Sequence, residues 1–546
     1  MRYHTMVSVE VEPIDLHISI NSLFSLLCTA LLPLVLIGIA LFYSGLTQRR
    51  SAFTMLAVPI LISPLIVLDW YIWGYSLCYS EASNSYIGNL NYAVLRQLKH
   101  SINQTYTSSR GQVLVMNHFL FNLLFKLICA AFTFPGCISE RGRVLPMMLF
   151  VFIWSVIIYN PVTYWFWNPN GWLYKMDVLD FAGGNCIHIV CGFTCLAYSY
   201  ILGPRNPKAL YNYRHSNTGY IVVGTFLLSC GWLAFVAGCE YRFSYNTLPI
   251  MFSTLLASSS AAIVWVAMDY GFSQEVLNVE EEKLIGDSAS GARFPPIMKR
   301  KISMISITSG IVSGLVVVTP GGGYISSNND FWKPIVFGVV GAILSNFSTR
   351  LKYYFKIDDA LDVFAIHGVA GIVGSLLTGI FADKLYDSKG GWVAGHWKQF
   401  GIQLLGLVVT SAYVFIMSAF FLYIIDLIPG FHLRIDKNFN RREREKKVKK
   451  ENANPELESQ VSATPSEKRP MEQHYWEQVE LLGSDNYEFS SEYMMDFMEF
   501  IKVIRPEDYS EGGHEEVLVS NNESVAIYNS GNEYQQAEGE CNSRKH

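Results

Sequence analysis

The sequence predicts an all-α polytopic membrane protein: about eleven transmembrane helices, two inverted five-helix repeats plus a final helix. Three observations predict it. Of 546 residues, 51% are hydrophobic and only 16% charged, against about 25% charged in an average soluble domain. The charge is uneven, concentrated in the last hundred or so residues. Runs of roughly 20 mainly apolar residues, the length that crosses a bilayer, recur about eleven times along the rest.

Taken in order, residues 1–22 contain Glu10, Glu12 and Asp15 and lack the basic-then-apolar layout of a secretory signal. They are expected to form an extracellular segment ahead of a retained first span. The spans fall near 23–46, 53–77, 113–137, 144–167, 179–202, 217–238, 247–271, 303–320, 332–350, 361–382 and 399–428. The third holds Asn122 and Lys126, and the eighth is short and Gly-rich. Cytoplasmic loops collect Lys and Arg. The loops after spans one, three, five, seven and nine carry Arg49/Arg50, Arg141/Arg143, Arg205/Lys208/Arg214, Lys299/Arg300/Lys301 and Arg350/Lys352/Lys356. An odd span count then places the N-terminus outside and the tail in the cytoplasm. The first outward loop carries Asn103-Gln104-Thr105, a possible glycan acceptor. The membrane domain is read as 23–430, and 431–546 as a cytoplasmic, largely disordered regulatory tail.

Ten cysteines form no CxxC pair and mostly sit in apolar runs, so neither a disulfide scaffold nor a metal site is indicated. No cofactor and no nucleic-acid partner are expected. The formal net charge of −5 says little about partners, because it resides in loops and tail.

Transporters are often built from two repeats of opposite topology with the working site between them. Here the last helix of each half carries the same spacing: Asp180, His188, Gly192 in one and Asp359, His367, Gly371 in the other. A polar side chain inside the bilayer usually faces the bundle interior or a cavity. A neutral imidazole offers one donor and one acceptor and exchanges protons near neutral pH. Two such rings suit a path for a small solute that gains or loses a proton. They could equally serve to tie helices together; the mirrored placement favours the first use.

The segment Asp180-Phe181-Ala182-Gly183-Gly184, followed by His188, resembles the signature of the ammonium transporter (Amt/Mep/Rh) family, its fungal branch most closely. The segment from Asp358-Asp359 through Asp362, His367 and Gly368 to Gly374 resembles its second signature. Ser139-Glu140-Arg141, Trp167 to Trp172, Gly231-Trp232, Val318-Thr319-Pro320, Gly395 to Gln399 and Ile425 to Gly430 are similar too. The resemblance implies a homotrimer with one pore per subunit, with mixed trimers of related subunits an alternative, in the plasma membrane. It implies Trp167, Asp180 and a residue at Cys239 for ammonium recruitment, Phe125 and Phe235 as a gate, and His188 and His367 as twin pore histidines. Gly183, Gly184, Asp359, Asp362 and Gly368 belong to the structural motif. Ammonium would lose its proton, cross as ammonia, and have the proton returned through the histidines, making net uptake electrogenic.

The chain departs from that pattern at Val236, where Asn is usual, and at Cys239, where Ser is frequent, with Glu240 following. Counting back from Glu140 without a gap puts the outer gate position on Lys126; one inserted residue puts it on Phe125, spaced F-x-x-x-F from Phe121. An ammonium side chain in the mouth would repel a like-charged substrate. The basic run 441–450 adjoins the membrane and could bind anionic lipid or be a solvated cluster. Glu480-Leu-Leu-Gly483-Ser-Asp485 resembles the tail element of the family, implying a regulatory, phosphorylatable tail. Alongside transport stands a sensor or regulatory subunit of the same fold. An enzyme is not expected, since no nucleophile motif or H-E-x-x-H spacing accompanies the histidines.

Overall fold

In lipid a spanning backbone must satisfy its own hydrogen bonds, which only helices and closed barrels do. In the computed structural model, which describes residues 15–81, 84–98, 105–210, 213–272, 302–326, 330–452 and 471–489, the apolar runs are helical. Among the described residues, ten helices are long and apolar enough to cross a membrane: Leu16–Leu46, Arg49–Tyr79, Val115–Ile138, Val144–Lys175, Gly184–Leu202, Thr218–Gly238, Thr247–Phe272, Trp332–Phe355, Phe364–Phe381 and Lys398–Leu427. The shorter apolar helix Met304–Val318 completes the expected eleven. The first starts inside the segment read as preceding the membrane domain, because Asp15 caps it by accepting from His17 N at 2.8 Å.

The basic loops gather at one end. Arg205 bridges Glu140 (3.0 Å) and Asp358 (2.8 Å), and Arg141 donates to the carbonyls of Gly203 and Asp358. Burial alone would raise the Asp358 carboxyl, but neighbouring Arg141 and the Arg205 hydrogen bonds hold it well below the usual carboxylate range. The Ser139-Glu140-Arg141 motif is thus a junction of loops. The basic loop after the seventh span and Asn103 lie outside the described residues.

Within the segment read as a largely disordered tail, the described residues hold three helices: Phe439–Asn452, Met471–Leu482 and Ser484–Glu488. Glu480 takes a bidentate bond from Arg434 at 2.9 and 2.6 Å. Asp485 accepts from the backbone N–H groups of Phe53 (3.0 Å) and Thr54 (2.7 Å), capping the second span.

The two halves meet reciprocally. A Cβ on Gly38 of the first span would lie 2.7 Å from Gly224 O of the sixth, and one on Gly224 would lie 2.7 Å from Gly38 O. Where the fifth and tenth spans cross, a Cβ on Gly192 would come 2.3 Å from Gly368 Cα. One on Gly371 would come 3.2 Å from Ile189 Cγ1. In each case the glycine four residues after a histidine packs against the turn that carries the opposite histidine, with Gly184 O also 3.0 Å from a Cβ on Gly371. Small residues let membrane helices approach this closely. Gly192→Ala is therefore expected to force the two helices apart and lower stability by about 1–3 kcal/mol. The thermal midpoint of the detergent-solubilised protein reads this; a midpoint equal to the parent's would contradict the close approach.

Candidate functional site

The fifth span begins with a break rather than a regular turn. Gly183 has φ +106°, a left-handed conformation costly to any side chain. Asp180, 2% exposed, accepts from the backbone N–H groups of Gly183 (2.9 Å), Gly184 (2.7 Å), Asn185 (2.8 Å) and Cys186 (3.3 Å). That carboxylate is an N-cap saturated by four donors. Phe181 N and Ala182 N donate to the carbonyls of Pro320 and Thr319, which gives Val318-Thr319-Pro320 its task. Gly184 packs so tightly that a Cβ there would lie 2.5 Å from Pro320 Cβ. The tenth span repeats the device: Asp359 accepts from Phe364 N at 2.7 Å. Nearby Asp362, with φ +55°, takes a 2.8 Å bond from Lys352.

Each break leads into a π-helical turn, Gly184–Ile189 and Phe364–Val369. Such turns recur at functional sites, and these carry His188 and His367. Both rings are buried, and their Nδ1 atoms are 3.2 Å apart. One Nδ1 donates and the other accepts, so the rings hold complementary tautomers. His188 Nε2 is buried without a hydrogen-bond partner, leaving one polar site free for a guest. Trp232 stacks on His188 (centroids 5.4 Å, 4°), with its N–H on Thr319 Oγ1, and Phe132 lies against His367 at 4.4 Å.

Above the histidines, Phe125 and Phe235 stack face to face at 4.2 Å and 6°. Over them opens a cavity of about 220 Å³ lined by Phe125, Trp167, Cys239 and Tyr324 among others. Trp167 lies edge-on to Phe125 at 6.0 Å and its indole N–H donates to Asp180 O at 3.0 Å. The Cys239 thiol donates to Phe235 O at 3.3 Å. Below, Phe132 and His367 border an apolar constriction with no room for a water molecule, which shares Leu361 and Ile366 with a wide vestibule of about 1260 Å³ at the basic end. The constriction thus lies between His367 and the vestibule at the basic end.

The gap-free count to Lys126 is corrected by the geometry. Lys126 is fully buried and pairs with the Asp69 carboxylate, which also accepts from Ser155 Oγ at 2.6 Å; Lys126 donates to Asn160 Oδ1 at 2.8 Å. Its ammonium lies 5.3 Å from the rings of Trp70 and Tyr159. Successive helix residues diverge by about 100°, so Phe125 turns to Phe235 while Lys126 turns to the second and fourth spans. Of the site residues named from sequence, His188 and His367 form the imidazole pair, with Gly368 packed against Gly192. Phe125, Phe235, Trp167 and Cys239 lie at the phenylalanine stack and the cavity over it. Asp180, Gly183 and Gly184 form the break of the fifth span, and Asp359 and Asp362 lie at the start of the tenth.

Sequence reasoning did not single out Phe132, although seven residues from Phe125 is two helical turns on one face. It also missed Arg110, in the turn between strands β1 (Thr105–Thr107) and β2 (Gln112–Leu114). The Arg110 guanidinium donates to Phe181 O (2.6 Å), Asp180 O (3.1 Å) and Tyr324 OH (3.3 Å), and lies 4.8 Å from the Phe181 ring centroid. No sequence pattern marks it.

The apolar helices of the described residues, ten long enough to cross a bilayer and one shorter, define a multi-pass membrane protein with two buried histidines between its halves. The profile of the Ammonium Transporter Family matches residues 23–279 and 294–447. Ammonium transporter 1 of Schizosaccharomyces pombe is 34% identical over 417 residues, 75% of this chain and 77% of its own length. Ammonium transporter MEP3 of Saccharomyces cerevisiae is 32% identical over 421 residues, 76% of this chain and 79% of its own. The crystal structure of Candida albicans Mep2 matches with a TM-score of 0.66 at 30% identity, over 78% of this chain and 87% of that one. The chain belongs to the Ammonium Transporter Family.

Proposed function

We propose that the chain carries ammonium across the plasma membrane, each subunit of a homotrimer through its own pore. The cation enters beside Trp167, gives up its proton, and ammonia passes Phe125 and Phe235 to the histidines. The proton follows through the His188–His367 hydrogen bond, so net uptake is electrogenic. The observation that carries this reading is the pair of buried imidazoles 3.2 Å apart, between a cavity lined by Trp167 and a vestibule at the basic end. A neutral solute crosses such an apolar passage at far lower desolvation cost than a cation. Asp180 acts through the backbone it caps, since its oxygens are already occupied.

A second reading, a non-transporting ammonium sensor of the same fold, draws on two features. The Phe125–Phe235 stack blocks the way from the cavity to the histidines, and the Cys239 thiol, though its residue lines the mouth, donates to Phe235 O. Growth separates the two. In cells lacking ammonium uptake, expression of this chain is expected to restore growth on low ammonium, with an inward methylammonium current. Normal surface expression with neither rescue nor current would set transport aside in favour of sensing.

A further inference from the structure

A mouth that recruits a cation offers ring faces and carbonyl oxygens, since ammonium is drawn to both. In this chain those partners are already in use by a cation of its own. Arg110 reaches in from the β1–β2 turn, over the faces of Phe181 (4.8 Å) and Tyr324 (5.9 Å). It donates to the carbonyls of Phe181 and Asp180 and to the Tyr324 hydroxyl. Trp167 donates its indole N–H to the same Asp180 oxygen. The guanidinium and the indole are therefore neighbours, and both line the cavity over the phenylalanine stack. The partners of Arg110 are carbonyls, a phenol and ring faces rather than a carboxylate, so its positive charge is solvated by the mouth and not cancelled there.

We propose that Arg110 is a tethered cation that occupies the recruitment site and lowers its affinity for ammonium and methylammonium, making it the residue that sets the cation affinity of the outer mouth. The role depends on this mouth being where substrate enters. A fixed like charge a few ångströms from an incoming cation opposes it, and the partly desolvated setting strengthens that opposition relative to water. A guanidinium also holds its two carbonyls through a planar fork that a lysine does not reproduce. Removing the charge frees the ring faces and carbonyls together.

The test is methylammonium binding to purified protein in lipid nanodiscs, followed by calorimetry, beside methylammonium uptake in proteoliposomes. Arg110→Gln is expected to lower the dissociation constant about ten-fold, and Arg110→Lys, which keeps a cation at the mouth, to lower it less. Should Arg110→Gln not fold, Arg110→Met keeps the packed stem and carries the same expectation. If the uncharged variants bind no tighter than the parent, or bind more weakly, the tethered-cation role is overturned and Arg110 is a brace for the turn. Tighter binding by Arg110→Gln with no flux in any variant would uphold Arg110 and remove the conduction reading instead.

Discussion

Truncating Lys126 to alanine is expected to lower stability by about 3–5 kcal/mol, the usual consequence of stripping one partner from a buried ion pair. The Asp69 carboxylate left behind would sit almost fully buried, with Ser155 Oγ (2.6 Å) and Trp73 Nε1 (2.6 Å) as neutral donors and no cation. Asn160 Oδ1 would lose its charged donor as well, keeping the weaker Cys78 thiol at 3.5 Å. Because the second, third and fourth spans meet at this cluster, the loss should also loosen the helix that presents Phe125. A double replacement, Asp69→Leu with Lys126→Met, removes both charges and should recover most of the stability, since a packed apolar pair is often no worse than a buried ionic one. Thermal midpoints of the detergent-solubilised variants measure both statements. A single variant as stable as the parent would mean that the pair is spectator chemistry. Greatly increased methylammonium flux in Lys126→Met would mean that the ammonium group does reach the route, against the geometry.

The same residue shows what the sequence could and could not say. Span number was legible because each span is a long apolar run, and lipid leaves such a run one structure. The Asp–His–Gly spacing was legible because one device, a carboxylate capping a broken helix ahead of a histidine, is used twice. Its physical reason needed coordinates: Asp180 serves four backbone donors, and the glycines after each histidine meet across the seam. Rotation about the third span was not legible, because its apolar residues cover every face and a one-residue shift turns the helix by about 100°. Periodicity therefore could not choose between Phe125 and Lys126. The π turns were invisible for a similar reason, since a single extra residue in a helix changes no composition.

Polar segments were the least readable. Residues 471–488 have the composition of a disordered tail, yet Glu480 and Asp485 anchor them through individual charge-assisted bonds that no hydrophobic pattern announces. Arg110 falls in the same class. Its importance lies in what surrounds it, and those neighbours come from Asp180, Phe181 and Tyr324, far away in the chain.

Replacing His188 by alanine is expected to reduce methylammonium uptake per surface copy by one to two orders of magnitude. The variant leaves His367 Nδ1 buried without its 3.2 Å partner, and an unmet buried polar group costs about 1–3 kcal/mol. It also strips the ring stacked on Trp232. If that cost falls on the passage of ammonia, each ~1.4 kcal/mol is a factor of ten in rate. His188→Gln distinguishes the two services of the ring. A glutamine can hydrogen-bond to His367 and to a guest, but it does not exchange protons near neutral pH. If the pair only lines the route, glutamine should preserve both uptake and current. If it also returns the proton, glutamine should keep part of the uptake of neutral solute while the inward current collapses. Current and radiolabelled uptake recorded on the same proteoliposomes separate these outcomes, and a full current in His188→Gln would exclude proton return through the imidazoles. The conduit would then select its solute by apolar constriction and stacked aromatics alone, with Phe125 and Phe235 as the deciding barrier.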